Sequence, residues 1–138
     1  MVKPDAVQRG LVGAIVSRLE EAQLEISRMR FGTPSPRLMR EFYAEHAQKP
    51  HFRRLIDYMT SGPMCFIEMT GGNAVARVRQ LAGDTDPANA APGTIRGDLA
   101  IDLPRNSIHA SDSPEAAEYE AALIFDSDEI MPGTSHPE

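Results

Sequence analysis

The chain's 138 residues are enough for one domain whose core needs no disulfide or metal staple. A hydrophobic fraction of 41% and a charged fraction of 25% are ordinary for a soluble globular protein, no apolar run reaches the length of a membrane span, and the first residues show no signal-peptide pattern. A net charge of −6 argues against broad electrostatic binding to nucleic acid, so any anion site must be a local cluster of cations, drawn from Lys3, Arg79, Arg96 and Arg105. The single cysteine, Cys65, excludes an internal disulfide and is compatible with a reducing cytosol.

Met1-Val2-Lys3-Pro4-Asp5 reads as the end of a strand entering a loop. Leu11, Ile15 and Leu19 then recur at helical spacing, with Val12 and Val16 on the adjoining row. A strand begins at Leu24-Glu25-Ile26, and its alternation slips before Met29-Arg30-Phe31, which predicts a bulge. Thr33-Pro34-Ser35-Pro36 is a turn, and Ser35-Pro36 caps a helix carrying the pairs Leu38/Phe42 and Met39/Tyr43. Lys49-Pro50 breaks that helix. Phe52, Leu55, Ile56 and Met59 form the stripe of the next one, which Ser61-Gly62-Pro63 stops.

Met64 to Met69 is nearly continuous apolar sequence and predicts a central strand buried on both faces. Gly71-Gly72-Asn73 is a turn and N-cap for a short helix with Ala74, Val78 and Leu81 inward, ending at Gly83. Asp84 to Asp112 shows little periodicity; a loop of that length inside a compact domain is usually functional. It leads into a short strand at Ser107–His109. A last helix runs from about Pro114 to Phe125 behind the cap Ser113, with Ala117, Ala121 and Ile124 on one face. Residues 131–138 read as a loose tail on a single domain spanning 1–138. The order β-α-β-(α-α)-β-α-loop-β-α predicts an α+β sandwich, with helices covering one face of a small antiparallel sheet.

His109 stands out within Asn106-Ser107-Ile108-His109-Ala110-Ser111-Asp112. It lies just before a helix N-terminus, where backbone N–H groups favour an anion. A lone histidine is more often an ordinary surface or core residue. Its company changes the weighting: Lys3-Pro4-Asp5, Gln8-Arg9-Gly10, Ser61-Gly62-Pro63 and Pro92-Gly93-Thr94-Ile95-Arg96-Gly97-Asp98 precede it in fixed order and spacing.

In that register the chain resembles the nucleoside diphosphate kinases, from Met1 to about Ile130. The resemblance implies a ferredoxin-like βαββαβ fold and ping-pong transfer of the terminal phosphate of a nucleoside triphosphate to a nucleoside diphosphate, maintaining NTP and dNTP pools. It implies that His109 is the phosphorylated nucleophile, that Glu120 orients its ring, and that Lys3 and Tyr43 support the transferred phosphate. Arg79, Thr85 and Arg96 match the phosphate-binding groups, Asn106 and Lys3 the ribose contacts, and His51 and Leu103 the two places that sandwich the base. Mg²⁺ is implied on the nucleotide, reached by Asp112 at most through water, with no protein metal cage. A homo-oligomer is implied, a hexamer favoured over a tetramer because trimer contacts cluster near Pro92-Gly93. Nucleic acid and membrane are not expected as main partners, and the expected compartment is the cytoplasm.

Residue chemistry is compatible with this. Neutral imidazole is a good nucleophile near pH 7, and phosphoryl transfer asks a protein mainly for positioning and charge stabilisation. Taken alone, Arg79 reads equally as a solvated helix residue, Thr85 as turn chemistry, Glu120 as an exposed acid and Tyr43 as core. Two departures stand out. His51 replaces the usual Phe of the stack, which predicts weaker nucleotide binding; Pro104 replaces a frequent Gly and stiffens the loop before Asn106. The family pattern has more apolar residues ahead of Lys3 than Met1-Val2, so either the true start lies upstream or the first strand is short, which would weaken the sheet beside Lys3. The alternative function is a catalytically weakened kinase-like binding or regulatory protein.

Overall fold

The computed structural model describes residues 1–132; the last six positions assigned above to a tail lie outside the described residues. The elements are α1 (Pro4–Gln8), α2 (Val12–Glu21), β1 (Glu25–Pro34), α3 (Pro36–Phe42), α4 (Phe52–Met59), β2 (Met64–Thr70), α5 (Ala74–Ala82), α6 (Ile95–Leu99), α7 (Pro114–Phe125) and β3 (Ile130–Met131), with 3₁₀ turns at Ala44–His46 and Pro87–Asn89. No helix among the described residues is long and apolar enough to cross a membrane.

The sheet runs β2-β1-β3, antiparallel throughout. The register of β1 against β2 shifts between Ile26 and Arg28, at the slip in alternation. On the free side of β2, Val2 bridges Cys65, and on its own other side it bridges Ile108. The segment at Val2 is therefore a single pair of bridges, and the strand read at Ser107–His109 is reduced to Ile108.

The expectation of helices on one face is corrected at β2. Its Met64 and Phe66 join a cluster with Leu38, Met39, Phe42, Ile56, Met59, Ile124 and Ile130, from α3, α4, α7 and β3. Cys65 between them joins Val2, Ala6, Ile15, Leu19, Ala82, Ile95 and Ile108, with Ile67 and Met69 packed against that group. Successive side chains of a strand point to opposite faces, so helices cover β2 from both sides. Each fully buried side chain of this size contributes about 1.5–3 kcal/mol through its removal from water.

Local signals explain most helix starts. The Ser35, Thr94 and Ser113 hydroxyls accept from the main-chain N–H of Leu38, Gly97 and Ala116. Asn73 occupies an N-cap position, but its side chain makes no capping bond and its φ is +55°. Three elements differ from the sequence reading. Pro4–Gln8 is a helical turn rather than a loop, because proline is tolerated at a first helical position. The expected loop of 84–112 contains α6. Thr33 and Pro34 extend β1 and pair with Met131 and Ile130, so Met131 belongs to the sheet rather than to a tail. That clasp continues where the Ser35 N–H and hydroxyl donate to the Glu129 carbonyl and carboxylate, at 2.8 and 3.0 Å.

Candidate functional site

The segment carrying His109 is held by a strained turn. Ser107 has φ +76°, rare for an L-residue, and the Ile108 N–H donates to the Asn106 carbonyl across it at 3.0 Å. Such a conformation costs on the order of 1–3 kcal/mol and persists where its surroundings enforce it. Here the Ser107 carbonyl accepts from Lys3 N–H at 3.0 Å, and the His109 N–H donates to the Met1 carbonyl at 2.9 Å. Ile108 is buried in the cluster around Val2. The next side chain therefore points the other way, and the His109 ring sits edge-on to Phe42 at 5.2 Å and to Tyr43 at 5.9 Å.

His109 Nε2 lies 3.0 Å from Glu120 Oε1, and the Ser111 hydroxyl donates to the same oxygen at 2.7 Å. An ionised carboxylate only accepts, so in the neutral ring the proton is on Nε2 and the lone pair on Nδ1. Burial pulls the His109 pKa below the usual imidazole range, the hydrogen bond to Glu120 opposing it. Burial alone would raise Glu120, but the bonds from His109 and Ser111 hold it below the usual carboxylate range. Burial raises Tyr43, with the Glu120 charge adding to it, so its phenol stays protonated.

The cations converge on the same segment. Lys3, 8% exposed, donates from Nζ to Asn106 Oδ1 and to the Pro104 carbonyl, each at 2.8 Å. Asn106 Nδ2 donates to the Thr85 carbonyl at 3.0 Å, which ties the 84–89 loop to the lysine. Arg96 is buried on α6; its terminal nitrogens donate to the Gly83 and Ile108 carbonyls at 2.8 Å, and its Nε is buried without a partner. Burial, then the Arg79 charge, pull Arg96 below its ordinary range. Arg79 donates to the Ala110 carbonyl at 3.3 Å. Two guanidinium groups thus grip the backbone on either side of His109.

Of the expected residues, His109, Glu120, Tyr43, Lys3, Asn106, Thr85, Arg79 and Arg96 are joined through these contacts. His51, Leu103 and Asp112 are exposed and share no hydrogen bond with them among the described residues. His51 stands at the start of α4, its ring 6.5 Å from that of His46. Leu103 helps line a cavity of about 430 Å³ with Asp86, Pro87, Arg96 and Ala100. A second cleft of about 270 Å³, behind His109 and Glu120, is walled by Ile67, Met69, Val78, Ala121 and Phe125; so apolar a wall does not suit a phosphate. Among the described residues no group of three His, Cys, Asp or Glu side chains could hold a metal ion. Sequence reasoning missed Ser111 and Phe42; only the placement of Ser111 two residues beyond His109 hinted at a shared side.

The sequence model of the family described as nucleoside diphosphate kinase matches residues 1–130. The chain belongs to the nucleoside diphosphate kinase family. It is 52% identical over 131 residues to the nucleoside diphosphate kinase of Archaeoglobus fulgidus, covering 95% of this chain and 87% of that one. Against the enzyme of Natronomonas pharaonis it is 53% identical over 132 residues, covering 95% and 86%. Among solved structures, the halophilic nucleoside diphosphate kinase of Halobacterium salinarum, in complex with CDP, superposes with a TM-score of 0.88 at 48% identity, covering 97% of this chain and 90% of that one. The Aquifex aeolicus nucleoside diphosphate kinase gives 0.87 at 38% identity, with 94% of each chain covered. The fold is accordingly the ferredoxin-like α+β fold of this family of enzymes.

Proposed function

We propose that this nucleoside diphosphate kinase works by ping-pong transfer through a phosphohistidine on His109. The carrying observation is the Nε2–Glu120 hydrogen bond, which leaves the Nδ1 lone pair as the nucleophile. In the first half-reaction Nδ1 bonds to the terminal phosphorus of a nucleoside triphosphate, the bond to the bridging oxygen breaks, and the diphosphate leaves with that electron pair. In the second, a terminal phosphate oxygen of another nucleoside diphosphate takes the phosphoryl group and the P–Nδ1 bond breaks. Glu120 stabilises the positive charge that the ring gains; Lys3, Tyr43, Arg79, Thr85 and Arg96 stabilise the phosphate oxygens.

The relative solved with CDP supports a nucleoside diphosphate as ligand. We assign the ribose hydroxyls to Lys3 and Asn106 and the base to a stack between His51 and Leu103, which gives broad base specificity because every base has a π-face. Mg²⁺ enters as part of the nucleotide substrate, with Asp112 reaching it through water. Turnover of this kind maintains NTP and dNTP pools; the buried free thiol of Cys65 suits the cytoplasm. Exposed Met29, Phe31 and Met131 on the sheet support a homo-oligomer, for which we favour a hexamer.

The test is intact mass after incubation with Mg·ATP, then with a different nucleoside diphosphate. One phosphate should be gained, lost on adding the diphosphate, and absent in His109→Ala. No gain in the wild type would overturn the mechanism and leave a catalytically weakened binding or regulatory protein.

A further inference from the structure

Lys3 is one of the cations bonded to the segment that carries His109, and its own hydrogen bonds bring it no counter-charge. Its two acceptors, the Pro104 carbonyl and Asn106 Oδ1, are neutral. An ammonium has three N–H groups, so one remains for an anion. Burial lowers the Lys3 pKa to about 8, opposed by the charge of Asp5.

Asp5 is itself buried, 5% exposed, in the first turn of α1. Its Oδ1 accepts from the Tyr58 hydroxyl at 2.5 Å, and its main-chain N–H donates to the same hydroxyl at 3.3 Å. Its Oδ2 is buried with no partner. Burial, then the hydrogen bond to Asp5, push the Tyr58 phenol up, so the proton stays on tyrosine. The Lys3 ammonium also lies 5.4 Å from the centroid of the Tyr58 ring. One ring thus meets the lysine with its face and the carboxylate with its hydroxyl, at a separation that gives a cation–π attraction.

We propose that Asp5 and Tyr58 are positioning residues for Lys3: Tyr58 locks the Asp5 carboxylate in place, and the pair keeps the ammonium charged and aimed at the nucleotide phosphates. This rests on the function proposed above and extends it to two residues that touch no substrate there. A buried carboxylate oxygen without a donor is costly unless its charge serves a neighbouring cation. The other charged groups around Lys3 do not replace Asp5. Arg96 on α6 opposes the lysine charge; Asp102 favours it, but is already bonded to Arg105. Arg105 feels Asp5 and Tyr58 electrostatically, and His109 and the Met1 amino group feel the charge of Lys3.

The experiment is ADP binding by calorimetry, with magnesium, from pH 6.5 to 9.5, on the whole chain as wild type, Asp5→Asn and Tyr58→Phe. Asn keeps the acceptor for Tyr58, removes the charge and places an NH2 group where Oδ2 stood. Losing a nearby anion lowers the lysine pKa. The pH at which affinity is lost should therefore fall by about one unit in Asp5→Asn, so that the variant binds roughly fivefold more weakly near pH 8 and roughly tenfold more weakly well above it. Tyr58→Phe keeps the ring face and releases Asp5; it should shift the same way by less, and it tests the idea should Asp5→Asn not fold. Adding Lys3→Arg, charged at every pH, should abolish the shift. A uniform loss of affinity at all pH values, with the wild-type midpoint kept, would mean that the pair only pins α4 to α1 and would overturn the proposal. A wild type that bound no ADP at any pH would overturn the functional reading together with it.

Discussion

Lys3 Nζ and Asn106 Oδ1 lie 2.8 Å apart, joining residues 103 positions apart in the chain at a point where neither side chain is exposed to water. Asn106 spans the lysine and the Thr85 carbonyl with its two amide ends. Asn106→Ala would leave Thr85 without its donor and Lys3 with one acceptor. A hydrogen bond to a charged group is worth about 1.5–3 kcal/mol, so KM for nucleotide should rise about 10- to 100-fold in steady-state kinetics.

In the proposed mechanism Glu120 acts through His109, which it meets at 3.0 Å. Glu120→Gln can still accept from Nε2–H but no longer offsets the charge that the ring gains on phosphorylation. Outer partners that orient a functional histidine are typically worth 10–100-fold, and kcat should drop by about that much with KM nearly unchanged. An equal rise in KM would instead place Glu120 against substrate.

The two shifted groups at the site set opposite limbs of a pH profile. His109 has its pKa lowered, so it stays neutral and nucleophilic on the acid side of the usual imidazole value of about 6.5. Lys3, lowered to about 8, loses its charge as pH rises through that value, and phosphate affinity goes with it. Kinetics from pH 5 to 10 should show kcat falling only below about pH 6.5 and KM rising above about pH 8.

If His51 stacks on the base as proposed, His51→Phe enlarges the surface offered to it. KM for NTP should fall about threefold with kcat unchanged, the scale of a modest gain in stacking. An unchanged KM would remove His51 from the stack.

Gly97 is needed for packing rather than for an unusual φ. A Cβ there would overlap the Ala91 carbonyl oxygen and crowd the Thr94 hydroxyl that caps α6. Gly97→Ala should cost about 1–3 kcal/mol in denaturant unfolding. Because Arg96 is its neighbour on α6, ADP affinity should fall in parallel.

Legibility in the sequence followed length and periodicity. Helix α2, with Ile15 and Leu19 inward, and α7, with its Ser113 cap, carry enough turns for the apolar spacing to repeat. Five residues with a central glycine cannot show a stripe, so α6 reads as loop in the sequence, and two-residue β3 has no alternation to read. At the site, the order of the motifs placed His109 among its cations, but not the ring nitrogen that faces Glu120. That depends on the direction in which Ser107 turns the chain, and a serine at φ +76° leaves no mark in the sequence, whereas a glycine would.

Because β2 sends Phe66 to one cluster and Cys65 to the other, it is a party wall between two cores. Sliding it by one residue would exchange the occupants of both rooms at once. Neither half can therefore loosen alone. His109, with Ile108 rooted on one side of that wall and Phe42 on the other, reports on both. Hydrogen exchange should find Cys65 and Phe66 opening only with the whole molecule, and the nucleophile's geometry should vanish in that same transition rather than before it.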